Sequence, residues 1–158
     1  MRKIFIVGSP RSGTTLLQQV LSTDEKLFTF GESQYFSNLN PITPWKKAIA
    51  CTPFVSLSAT KYLIEQLNKR QLTTFKPKIL LNEKAAYAFF DKTLNEVSAN
   101  SGLKGWIEKT PRHLHFVDKI TKYITEVEFI HIVRDPLDVI NSLYKVTNKH
   151  PEKWSKRN

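Results

Sequence analysis

The chain has 158 residues, of which 24 are Lys or Arg and 14 are Asp or Glu, giving a net charge of +10. That size and mixture fit one folded domain and exclude a disordered or fibrous chain, while the positive field favours anionic ligands without naming one. The single cysteine, Cys51, excludes an internal disulfide and a cysteine-pair metal site.

Ile4 to Val7 is a short, continuous run rich in β-branched residues and bounded by Gly8, which predicts a strand buried on both faces of a parallel sheet. After an eight-residue loop, Gly8 to Thr15, the residues Leu16, Leu17, Val20 and Leu21 fall at helical spacing. The region from about 33 to 105 differs: Pro41, Pro44 and Pro53 break its early part. Two helices are predicted after them, with stripes Leu63, Ile64 and Leu67, then Ala86, Phe90, Leu94 and Val97. As an insertion in an open α/β sheet it reads either as the acceptor side of a crevice or as a packing lobe.

Trp106 and Ile107 lead through Lys109 into a further helix whose apolar face is Leu114, Val117, Ile120 and Ile124, with Thr110 and Pro111 as N-cap and first residue. Phe129 to Val133 is the last predicted strand. Asp135 and Pro136 cap the helix after it, with Leu137, Ile140 and Leu143 as its inner face. Lys145 to Asn158, including Lys149, Lys153, Lys156 and Arg157, reads as a basic, solvated tail. Repeated strand-to-helix units predict an α/β protein, a three-layer α/β/α domain over residues 1–158 with a central parallel sheet.

Pro10 and Arg11 interrupt the apolar start too early for a secretion signal, and no stretch nears the roughly 18 to 20 apolar residues of a membrane span. A cytoplasmic protein is expected. Zinc spacing, basic heptads and Arg/aromatic tracts are absent, so nucleic acid is not an expected partner.

Gly8-Ser9-Pro10-Arg11-Ser12-Gly13-Thr14-Thr15 has the glycine spacing of a nucleotide phosphate loop, in the required position between strand and helix. Thr14 stands where ATP- and GTP-hydrolysing proteins carry the lysine that reaches the β- and γ-phosphates. The loop's amides and the helix dipole still attract an anion. A phosphate joined to a sulfonate carries less charge than a triphosphate; amides, the Thr14 and Thr15 hydroxyls and Arg11 suffice to hold it, without a metal.

Residues Gly8 to Leu17, together with Phe129-Ile-His-Ile-Val-Arg-Asp-Pro-Leu-Asp-Val-Ile-Asn-Ser142, resemble the two signature segments of the sulfotransferase family. The resemblance implies a P-loop NTPase-like fold and 3'-phosphoadenylyl sulfate as sulfuryl donor. It also implies binding of the donor's 3'-phosphate by Arg134 and Ser142, with Ser9, Pro10, Arg11, Ser12, Gly13, Thr14 and Thr15 around the 5' end. Asp135, Asp138 and Ser142 share one helix face, which brings that serine within reach of the strand end.

By similarity to the family's middle segment, here Glu108-Lys-Thr-Pro-Arg-His113, Lys109 would stabilise the oxygen bridging sulfur and phosphorus, with Arg11 beside it. Phe30-Gly31-Glu32 resembles the Gly-Glu segment that supplies the catalytic carboxylate in some bacterial and protein-tyrosine sulfotransferases, making Glu32 the leading base. His113 and His115 compete for that role. The cytosolic branch places its histidine two residues beyond the lysine, where this chain has Pro111. The implied acceptor is a hydroxyl on a sugar, phenol or peptide tyrosine. Family members usually continue past the 3'-phosphate segment with further helices and a basic loop, so a shortened, catalytically inactive nucleotide-binding module is the alternative reading.

Overall fold

The computed structural model describes residues 1–40, 53–69 and 75–149. Strand β1 (Arg2–Gly8) runs between β3 (Gly105–Lys109) and β4 (Val127–Ile132), with β2 (Leu27–Thr29) outside β3, and every pairing is parallel. A central strand of such a sheet is covered on both faces, so an alternating pattern is not required. Ile4, Phe5, Ile6 and Val7 are accordingly all buried.

Alternate residues of β1 feed the two sides of the sheet. Ile4 and Ile6 join Leu27 and Ile107 beneath Leu17 and Leu21 of α1 (Thr14–Leu21). Phe5 and Val7 join the larger cluster on the opposite face, where Phe5 stacks on Phe129 and meets the edge of Trp106, each at 5.3 Å between ring centres. That cluster is completed by α2 (Tyr35–Leu39), α3 (Pro53–Asn68), α4 (Glu83–Asn100) and α5 (Val117–Tyr123). Both predicted stripes, Leu63, Ile64 and Leu67 and then Ala86, Phe90, Leu94 and Val97, are buried. The insertion thus covers one face of the sheet, giving the predicted α/β/α layering.

Several expectations need correction. β4 spans Val127–Ile132 rather than Phe129 to Val133, and Val133 beyond it is exposed. The segment after Thr110 is a 3-10 turn, Pro111–Phe116, that passes into α5. Thr110 and Pro111 take the N-cap and first positions as expected, but the Thr110 hydroxyl makes no capping bond and donates to Glu108 instead. In α6 (Pro136–Lys149), Asp135 does cap, its Oδ1 accepting from the amides of Leu137 at 2.8 Å and Asp138 at 3.3 Å. Of the expected inner face of α6, Leu143 is half-buried while Leu137 and Ile140 point outward. Leu137 and Ile140 are 71% and 59% exposed, and Val139 is the side chain buried among the described residues. This helix follows an edge strand, which offers less apolar surface than the centre of the sheet.

Lys145 to Lys149 belong to α6 and are not a frayed tail. Pro41, Pro44, Cys51 and residues 150–158, with Lys153, Lys156 and Arg157, lie outside the described residues. No helix among the described residues is long and apolar enough to cross a membrane.

Candidate functional site

Open parallel sheets place ligands beyond the carboxyl ends of their strands. Gly8 ends β1 at that edge with φ +154°, and a Cβ there would stand 2.6 Å from the Ile132 carbonyl oxygen, so only glycine lets the loop leave beside β4. The loop closes on itself through Ser12, whose amide and hydroxyl both donate to the Ser9 carbonyl, at 3.2 and 2.6 Å. Gly13, at φ +100°, starts α1, and the first intrahelical amide is that of Leu17. The amides of the first turn therefore have no acceptor within the helix and face the sheet edge.

The two segments singled out from the sequence meet here. Arg11 Nε donates to Ser142 Oγ at 3.1 Å across 131 residues of chain. Arg134 Nη1 reaches the Arg11 carbonyl at 3.4 Å, and its Nη2 lies 3.2 Å from Asp138. Arg11 itself sits at φ 70°, a left-handed conformation that costs a non-glycine residue about 1 kcal/mol or more. Arg11, Gly13, Thr14, Thr15, Arg134 and Ser142 line a groove of about 210 Å³. That is below the roughly 300–1,000 Å³ of sites enclosing a drug-sized ligand, and its basic, hydroxyl-bearing lining suits small anionic groups. Ser9 and Pro10 are exposed and do not line it, and Ser12 turns its hydroxyl inward. A larger open hollow of about 500 Å³, lined by Met1, Asp91 and Tyr123 among others, holds none of the predicted residues.

Lys109, the last residue of β3, is 5% exposed and therefore not a solvated surface lysine. Its Nζ lies 2.7 Å from Glu32 Oε1 and 3.3 Å from Thr15 Oγ1. One ammonium thus joins the predicted carboxylate to the start of α1. Gln18 of α1 steadies the same region from the other side, donating to Thr29 Oγ1 and the Phe30 carbonyl at 2.7 and 2.6 Å. His113 is fully buried, with Nδ1 2.9 Å from Glu108 and Nε2 accepting from the Phe36 amide at 3.3 Å. Phe36 N–H points at Nε2, so Nδ1 carries the proton, and neither nitrogen faces the groove. His115 lies on the exposed side of the same turn.

Glu108, in the middle segment, has no catalytic role legible from its neighbours in sequence. It is completely buried. Burial pushes its carboxyl up, but the His113 imidazole, with the Thr110 and Ser33 hydrogen bonds, more than offsets this and holds it below the usual carboxylate range. The signal was present, since a glutamate between Ile107 and Lys109 in an otherwise buried strand must be fully hydrogen-bonded. Its lowered pKa contributes stability that is complete above the unfolded value of about 4.3 and is lost as the pH falls through the folded value. Glu108→Gln is therefore expected to lower stability by about 1–3 kcal/mol at neutral pH, and the gap from the wild type narrows on acidification. Urea unfolding across the acid range reads this directly; a gap that stays constant with pH contradicts it.

A family model described as the sulfotransferase family matches residues 3–158. An uncharacterized protein of Aquifex aeolicus is 25% identical over 146 residues, which cover 91% of this chain and 17% of that protein. The crystal structure of sulfotransferase STF1 from Mycobacterium tuberculosis is similar over 92% of this chain and 49% of its own, at 16% identity and a TM-score of 0.44. The chain therefore spans about a sixth of the first relative's length and about half of the second's.

Proposed function

The chain belongs to the sulfotransferase family, and from that premise we propose that it binds 3'-phosphoadenylyl sulfate and moves its sulfuryl group to a hydroxyl acceptor. The observation that carries this reading is the Arg11 to Ser142 hydrogen bond, which unites the phosphate loop with the helix of the second segment in one groove. The first-turn amides, Thr14, Thr15 and Arg11 hold the 5' phosphosulfate, and Arg134 and Ser142 hold the 3'-phosphate. The Arg134 to Asp138 pair is exposed on both sides and contributes about 0–1 kcal/mol. A phosphate forming charge-assisted bonds of about 1.5–3 kcal/mol displaces it.

For transfer, Glu32 accepts the proton of the acceptor hydroxyl, whose oxygen then attacks sulfur in line as the bond from sulfur to the bridging oxygen breaks. Charge gathers on that oxygen, and Lys109 stabilises it. The ammonium is preorganised for this by Thr15 on the donor side and Glu32 on the acceptor side. As in phosphoryl transfer, positioning and charge neutralisation supply most of the catalysis.

The test compares binding of 3',5'-diphosphoadenosine with ATP by thermal shift and calorimetry. The diphosphate is expected to bind more tightly, and Arg134→Ala to weaken it by about 10- to 100-fold, the equivalent of one lost charge-assisted bond. An ATP preference sinks the donor assignment. Transfer of labelled sulfate to a panel of sugars, phenols and tyrosine peptides then separates an active enzyme from a module that only binds.

A further inference from the structure

Four consecutive amides, from Ser33 to Phe36, end on one buried carboxylate. Ser33 N donates directly to Glu108 Oε1 at 3.2 Å. Tyr35 N donates to Ser33 Oγ at 3.2 Å, and that hydroxyl donates onward to the same oxygen at 2.7 Å. Gln34 N reaches Thr110 Oγ1 at 3.2 Å, which donates to Oε1 at 2.6 Å. Phe36 N reaches His113 Nε2, and Nδ1 of that ring donates to Oε2. Three of them, Gln34 to Phe36, are amides that α2 leaves without helical partners, and with Ser33 they are gathered onto one side chain of a strand 75 residues away.

The neighbours of this cluster are the two groups assigned to catalysis. Glu32 precedes Ser33, and Lys109 follows Glu108. We propose that Glu108 is a positioning residue for sulfuryl transfer, locking the loop that carries Glu32 onto the strand that carries Lys109; this rests on Glu32 acting as the base. Gln18 pins the other end of the loop at Phe30, so the segment bearing Glu32 is held on both sides. The anchor has to be an anion. Every contact made by Glu108 is accepted, three at Oε1 and one at Oε2. A glutamine would turn an NH₂ group toward either the hydroxyls or the imidazole N–H, and one set of donors would lose its partner. The cost of a fully buried carboxylate, repaid by a complete set of donors, is consistent with a requirement for fixed geometry.

Displacing a catalytic group by about 1 Å costs on the order of 10²-fold in rate, so a loosened anchor is expected to cost about tenfold. The experiment compares wild type, Glu108→Gln, Glu32→Gln and the double variant. Turnover is followed as release of 3',5'-diphosphoadenosine from the sulfuryl donor, with the best acceptor of the panel or with water. Glu108→Gln is expected to lower kcat about tenfold while the affinity for 3',5'-diphosphoadenosine stays within twofold. In the Glu32→Gln background the same change is expected to cost less than twofold, because a displaced base and an absent base lose the same contribution. Ser33→Ala keeps the buried charge and removes one relay, and is expected to give a smaller loss of the same kind if Glu108→Gln fails to fold. Wild-type kcat in Glu108→Gln, or an undiminished tenfold loss on top of Glu32→Gln, overturns the positioning role. Wild-type kcat in Glu32→Gln overturns the base assignment itself, and the positioning role with it.

Discussion

Lys109→Met is expected to lower kcat for sulfuryl transfer by about 10²–10³ and to weaken binding of 3',5'-diphosphoadenosine by about 10- to 100-fold. Methionine keeps much of the length and apolar stem of the lysine and removes its charge, at a position 5% exposed where water has little access to substitute for it. The charge matters most once electrons reach the bridging oxygen, so the loss falls on kcat; that oxygen departs on the 5'-phosphate of the product, whose binding weakens with it. Glu32, the partner left behind, has a side chain that is 39% exposed and is rehydrated instead of stranded. Steady-state kinetics beside calorimetry measures both quantities. A kcat within twofold of the wild type removes Lys109 from the reaction.

Glu32→Gln is expected to lower kcat by about 10²–10⁴, the range for loss of a positioned base. The amide still accepts from Lys109 through its carbonyl oxygen, so the 2.7 Å contact and the lysine's placement are preserved while proton acceptance is lost. His115→Ala supplies the comparison, because this exposed imidazole competes for the role on sequence grounds. If His115→Ala carries the loss and Glu32→Gln does not, the base is the imidazole. His113 is a poor competitor, since its Nδ1 faces Glu108 and its Nε2 receives the Phe36 amide.

The legible part of the site consists of contiguous segments. Gly8 to Thr15 is a strand, a turn and a helix start in one stretch, and its φ and close-approach demands are visible as glycines. Arg134 and Ser142 likewise belong to one stretch, the residue before the Asp135 cap and the second turn of the helix it caps. The Glu108 cluster is different, because its donors come from residues 33–36 and 110–113 and nothing in either stretch alone names the other. β2 was also missed, since a three-residue strand is too short to display a period. For α6, spacing identified an amphipathic helix but not which side the rest of the molecule would cover, so Leu137 and Ile140 were assigned inward and lie outward.

From the amino acids alone came the α/β class and the glycine-bounded loop between β1 and α1 that lacks a lysine, because short-range backbone geometry is written in local residue types. Tertiary structure alone decided that Arg11 would meet Ser142, that Lys109 would stand between Glu32 and Thr15, and that one buried glutamate would gather four amides. Those contacts depend on which strands lie side by side in the sheet, and that order follows from burying both faces of β1 at once, a property of the whole chain that no single segment carries.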